Sequence, residues 1–176
     1  MRIFLVFLSV ILFSCKEKAP VAGLEERTFT AEKLTTADLE VLDFDGLKPL
    51  LETEDETIHV VNFWATWCAP CIKELPDFEK LQATYKDKNV QVLLVSLDFP
   101  KKYDSHLKPY ILKNNLQSKV VALNDSNSNI WIPQVDPSWS GAIPATLIFN
   151  KDKRMFYERP FTYEELEDEI KTFANN

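Results

Sequence analysis

Apolar side chains along this chain occur either in short unbroken runs or in longer stretches at every third or fourth position. Residues 58–65, Ile58-His59-Val60-Val61-Asn62-Phe63-Trp64-Ala65, form a nearly continuous β-branched and aromatic run. Such a run predicts a central strand covered on both faces. Past Pro70 the apolar positions become Ile72, Leu75, Phe78, Leu81 and Tyr85, with Lys73, Asp77, Lys80 and Lys86 on the wet side. That spacing predicts an amphipathic helix. Pro70 suits its first turn, where a missing backbone N–H leaves no bond unmade. Residues 89–97 predict a second strand, residues 105–114 a helix and residues 120–123 a third strand. Strands and helices alternate in the manner of parallel βαβ units, which is an α/β layout.

The two ends of this pattern differ in strength. Residues 145–149 and 155–157 flank Asn150-Lys151-Asp152-Lys153 and predict a hairpin. Thr162 and Glu165 form a capping box, Phe161 and Leu166 sit where a hydrophobic staple would, and Leu166, Ile170 and Phe173 continue as one stripe. Together they predict a closing helix. Residues 39–44 alternate like a short strand, and residues 47–51 read as a helical turn behind Gly46. Residues 124–141, polar and proline-containing with Trp131 and Trp139, read as a long loop. The two tryptophans there either wall a substrate site or form a satellite core under the loop.

Length and composition set the scale. The chain has 176 residues, 45% apolar and 27% charged, as expected of one globular domain with a sizeable core. A net charge of −7 offers no basic footprint for nucleic acid. Residues 1–14 read as a signal peptide: Arg2 is followed by an apolar run from Ile3 to Phe13 that is short for a membrane span. The run ends in Leu12-Phe13-Ser14-Cys15, which resembles a bacterial lipobox and predicts lipidation at Cys15. Residues 15–38 then form a lipidated tether, without an apolar period, and residues 39–176 the folded domain. The expected location is the periplasm or cell envelope, with a lipid anchor to the membrane.

Three cysteines are present, so setting Cys15 aside leaves Cys68 and Cys71 in an oxidising compartment. A loop this short makes a poor structural staple, since closing it removes little unfolded-state entropy. Chemistry is the better reason for the pair. A cysteine at a helix N-terminus feels unpaired backbone donors and the positive end of the helix dipole, both of which favour thiolate. Cys68 occupies that place and is the expected nucleophile; Cys71, one turn further in, is the expected resolving thiol. Zinc needs about four ligands. His59 and His106 belong to no second ligand cluster, and no metal is expected.

Through Val60-Val61-Asn62-Phe63-Trp64-Ala65-Thr66-Trp67-Cys68-Ala69-Pro70-Cys71, Glu74-Leu75-Pro76 and Gly141-Ala142-Ile143-Pro144-Ala145-Thr146, the chain resembles the thioredoxin superfamily. It is most similar to its exported, membrane-tethered TlpA/ResA-type members. The resemblance implies a thioredoxin-like fold with a central mixed sheet flanked by helices and an extra βα insertion before the cis-proline strand. It also implies a cis peptide at Ile143-Pro144 facing the cysteines, with Trp67, Ala69, Pro70, Ile143 and Pro144 meeting substrate. Pro76 matches the family's helix-kinking proline. Thioredoxin carries a buried Asp that moves protons for the resolving cysteine; Asn62 stands at that position and cannot do so. Glu74 resembles the acid used by the TlpA/ResA group and is the expected proton relay, completing a catalytic set of Cys68, Cys71 and Glu74.

The activity implied is that of a protein-disulfide reductase, using no cofactor beyond the redox-active Cys68–Cys71 disulfide. Its partners would be disulfide-containing or dithiol proteins and a membrane electron donor, and the chain would be monomeric. A dithiol oxidase is the nearest alternative, and a metal-binding or chaperone module a more distant one. A peroxidase is disfavoured, because the Thr expected three residues before a peroxidatic cysteine is Ala65.

Overall fold

A computed structural model describes residues 39–174. The proposed signal peptide, Cys15 and the tether lie outside those residues. Among the described residues six strands form one mixed sheet in the order β1-β4-β3-β2-β5-β6. They are β1 (Glu40–Leu42), β2 (Ile58–Trp64), β3 (Val90–Ser96), β4 (Lys119–Leu123), β5 (Ala145–Phe149) and β6 (Arg154–Tyr157). The first four pair in parallel, whereas β5 runs antiparallel to both β2 and β6. Five α-helices among the described residues accompany them: α1 (Phe44–Leu51), α2 (Ala69–Tyr85), α3 (Lys108–Lys113), α4 (Ser128–Val135) and α5 (Tyr163–Ala174).

The central strand β2 is covered on both faces, as its continuous apolar run implies. Its alternate residues enter two separate cores. Val60 and Trp64 join the helices α2 and α5 with Leu75, Phe78, Leu81, Leu166 and Ile170. Val61 and Phe63 pack on the other face with Phe44, Leu47, Trp131, Val135 and Trp139. The unit formed by β4 and α4, inserted between β3 and the antiparallel strands, is the extra βα element.

Local chemistry accounts for the departures from the sequence reading. Helix α1 begins before Gly46, because the Asp43 side chain accepts from Gly46 N at 2.9 Å and caps the first turn. The helix expected over 105–114 is broken up. A 3₁₀ turn at Pro100–Lys102 runs into a π-helical turn at Tyr103–Leu107 and only then into α3. Pro109 has no N–H to offer the Ser105 carbonyl, and Lys108 N instead reaches back to Tyr103 O. The supposed loop 124–141 contains α4, which forms despite Pro133 because Trp131 and Val135 are buried there. At the chain's end the capping box is made as expected: Thr162 N donates to Glu165 Oε2 at 2.8 Å, and Glu165 N to Thr162 Oγ1 at 3.3 Å.

Candidate active site

Strand β2 delivers the chain to a tight turn over Ala65, Thr66, Trp67 and Cys68, closed by Cys68 N donating to Ala65 O at 3.0 Å. Cys68 then caps α2, its sulfur lying 3.4 Å from Cys71 N. Ala69 and Pro70 follow as the exposed first residues of the helix. The Cys71 N donor and the positive end of the helix dipole both favour negative charge on Cys68 Sγ once the sulfur is reduced. Cys68 and Cys71 are joined in a disulfide with Cα atoms 5.3 Å apart. Both are more enclosed than a reactive surface thiol suggests: Cys68 is 5% exposed and Cys71 fully buried. Exposure belongs instead to Trp67, at 58%, which stacks on Phe99 with ring centroids 6.5 Å apart.

The opposite wall comes from the segment before β5. The Ile143–Pro144 peptide is cis, and Ile143 O lies 3.7 Å from Cys68 Sγ. Gly141 enters this segment at φ +94°, a conformation that L side chains rarely adopt. Trp139 fixes the same segment from below, donating from Nε1 to Ala142 O at 2.8 Å. Cys68, Ile143 and Pro144 are thus brought together from positions 75 residues apart. Trp131 and Trp139 do not line this cleft; both are 5% exposed and pack edge to face with each other at 5.6 Å. Of the two roles considered for them, the satellite core is the one they fill.

Glu74 lies behind the pair, 3% exposed on α2. Its Oε1 accepts from Asn62 Nδ2 at 2.9 Å and its Oε2 from Phe161 N at 2.8 Å. Burial is the largest influence on this carboxyl and outweighs both hydrogen bonds, raising its pKa from 4.5 to about 7. A carboxyl held there lies in the range that an acid–base group needs at neutral pH. Asn62 Nδ2 also donates to Thr146 Oγ1 at 3.2 Å, while Asn62 Oδ1 has no partner among the described residues. Turned over, the amide would present that oxygen to a protonated Glu74, so one residue can serve both states of the acid. Residue 62 cannot carry the proton, but it contacts the group that can.

One acidic residue at this end of the sheet went unnoticed in the sequence. Asp98 is 2% exposed just past β3 and accepts from Thr66 N at 2.9 Å and Thr66 Oγ1 at 2.5 Å. The available signal was its position, a lone acid directly after a parallel strand, at the strand ends where α/β sheets place their sites. The histidines lie elsewhere: His59 at the far end of β2 contacts Asp55 Oδ1 at 3.0 Å, and His106 contacts Ser105.

A pair of cysteines at a helix N-terminus, an acid titrating near neutrality behind them and a main-chain carbonyl across the cleft can carry out two-thiol exchange. Comparison with known proteins agrees with that chemistry. The AhpC/TSA family profile matches residues 28–157. Thiol-disulfide oxidoreductase ResA of Bacillus cereus (strain ATCC 10987 / NRS 248) is 29% identical over 161 residues, covering 90% of this chain and 82% of that protein. Thioredoxin-like protein YneN of Bacillus subtilis is 33% identical over 98 residues, 56% of this chain and 51% of its own length. Among solved structures, a thioredoxin-related protein from Neisseria meningitidis serogroup B superposes with a TM-score of 0.61 at 22% identity, covering 72% of this chain and 91% of that one. A secreted thiol-disulfide isomerase from Corynebacterium glutamicum superposes at 0.59 with 18% identity, covering 69% and 73%. These structures share the fold.

Proposed function

The chain belongs to the AhpC/TSA family and is a thiol-disulfide oxidoreductase of thioredoxin-like fold, and we propose that it works as a reductase of protein disulfides in the cell envelope. The observation that carries this reading is the Cys68–Cys71 disulfide at the start of α2, with Ile143 O 3.7 Å from Cys68 Sγ. In the reduced protein, Cys68 attacks a partner disulfide while the partner's extended backbone lies along Ile143 and Pro144. Trp67, Ala69 and Pro70, exposed around the nucleophile, meet the rest of the partner. Cys71 then attacks Cys68 Sγ, releasing the partner as a dithiol and leaving the pair oxidised. Glu74 takes the proton from Cys71 as that thiol becomes the attacking thiolate. The uncharged Ala69-Pro70 dipeptide supports the reducing direction, because it adds no cation to stabilise the Cys68 thiolate.

A membrane electron donor would return the pair to the dithiol, with the protein acting as a monomer on its lipid anchor and with no bound cofactor. The short apolar start and the Ser14-Cys15 junction support export and lipidation. No helix among the described residues is long and apolar enough to cross a membrane. Two experiments test this function. Cys71→Ser is expected to accumulate mixed disulfides at Cys68 with envelope proteins; recovery of no such adducts would reject protein disulfides as the substrate. Cys15→Ala is expected to abolish palmitate labelling and release the protein from the membrane fraction, and labelling equal to the parent would reject the anchor.

A further inference from the structure

The acid beyond β3 has more around it than a structural turn requires. Asp98 accepts from Thr66 N, Thr66 Oγ1 and, at 3.0 Å, Ser96 Oγ. All three donors are neutral. Among the described residues no ion pair includes this carboxylate. The turn that it holds is the one that carries Cys68: Thr66 sits between Ala65 and Trp67, and Cys68 N closes the turn onto Ala65 O. Leu97 N donates to Trp64 O at 2.7 Å, tying the ends of β2 and β3 together directly beneath it. A buried acceptor of this kind fixes geometry, since breaking it would strand an amide, a hydroxyl or a charge away from water.

We propose that Asp98 is a positioning residue for Cys68 whose buried charge also sets the direction of exchange. It anchors the 65–68 turn and opposes the thiolate that the helix N-terminus favours. This rests on the reading of Cys68 and Cys71 as the exchanging pair. The disulfide form bears no charge at these sulfurs, whereas the reduced form gains stability to the extent that Cys68 ionises. A neighbouring negative charge removes part of that gain, so the dithiol gives up its two electrons more readily. In the exchange those electrons pass to the partner's disulfide as its S–S bond breaks and the Cys68–Cys71 bond forms. The two protons released by the cysteines end on the partner's thiols.

Other charged or titratable groups lie on the adjoining elements: Lys73 and Glu74 on α2, exposed Lys101 and Lys102 after β3, Tyr103, whose phenol feels Asp98, and Arg159, which acts on Glu74 from beyond β6. The test therefore changes Asp98 alone. Asn is nearly isosteric: its oxygen can accept from Thr66 N and Ser96 Oγ while its amide donates to Thr66 Oγ1, which keeps the clamp and removes the charge. Thr66→Val does the reverse, loosening the clamp and keeping the charge.

The full-length protein and both variants are equilibrated with glutathione buffers of graded ratio, and alkylation of Cys68 is followed against pH. Asp98→Asn is expected to move the equilibrium towards the dithiol by about tenfold, about 30 mV for a two-electron couple, and to move alkylation to lower pH. Thr66→Val is expected to move neither by more than about twofold. Superimposable curves for Asp98→Asn and the parent would overturn the inference, as would a Thr66→Val shift of equal size, since geometry alone would then account for it. If Asp98→Asn does not fold, Asp98→Ser, which also removes the charge and keeps an oxygen to accept, is measured in its place and judged by the same tenfold criterion. Failure of the parent itself to titrate as a reversible two-thiol couple would reject the proposed function instead.

Discussion

The two faces of the sheet are built on different terms. On the face of α1 and α4, Phe44, Phe63, Trp131 and Trp139 pack into an apolar layer, and both indole N–H groups find backbone carbonyls, at Asp125 and Ala142. On the face of α2 and α5, the strands also carry Asn62, Ser96 and Thr146, and Glu74 is enclosed with them. On that side Asn62 Oδ1, Trp64 Nε1 and Tyr103 OH have no hydrogen-bond partner among the described residues. Burying polar groups is costly unless their bonds are complete, so a stable core ordinarily avoids them. Their gathering next to Cys68 and Cys71 marks the face where packing yields to chemistry, and the opposite face supplies the stability that permits it.

The largest effect expected from this contrast is at Trp131. Trp131→Ala empties a site that stacks on Phe44 and meets Trp139 edge to face, and should cost about 3–5 kcal/mol in urea unfolding. The rate at which the folded protein exchanges with a small disulfide should stay within about twofold of the parent. A kinetic loss in a variant of undiminished stability would erase the division between the faces.

Glu74 sharpens the comparison through pH. Its pKa in the folded chain, about 7, lies above the ordinary 4.5, so the fold favours the protonated acid. Its contribution to stability is complete below pH 4.5 and is lost as the pH rises through 7. Unfolding the oxidised protein at pH 5 and pH 8 should show Glu74→Gln gaining about 2–3 kcal/mol on the parent across that interval. Parallel stabilities at the two pH values would remove Glu74 from the proton-handling role. Gln fits because its oxygen can accept from Phe161 N while its amide donates to a turned-over Asn62.

The smallest stability effect belongs to Trp67. Exposed beside the nucleophile, it should change unfolding by no more than about 0.5 kcal/mol on truncation to Ala. The KM for a protein disulfide should nevertheless rise about three- to tenfold, with little change in kcat, because the lost contact is with the partner. An unaltered KM would take Trp67 out of the substrate surface.

Much of this architecture could be read along the chain. The unbroken run at 58–65 became β2, the stripe from Ile72 to Tyr85 became α2, and the Thr162–Glu165 box became the start of α5. Less legible were segments in which local preference and tertiary packing disagree. Pro133 and a polar surround concealed α4, whose formation follows from burying Trp131 and Val135. Pro109 concealed the break before α3 because its effect falls on a carbonyl four residues earlier.

The cysteine spacing, the helix that begins between the cysteines and the placement of Cys68 at its first turn were determined by the sequence alone. Each depends on neighbours within a few residues, where propensity and capping act. Only the tertiary structure decided what surrounds the pair. It brought Ile143 O to Cys68, closed Asn62 and Phe161 over Glu74, and set Asp98 under Thr66. Those contacts join residues 12 to 87 positions apart. Their energies depend on burial and on partners from other strands, which no local pattern encodes.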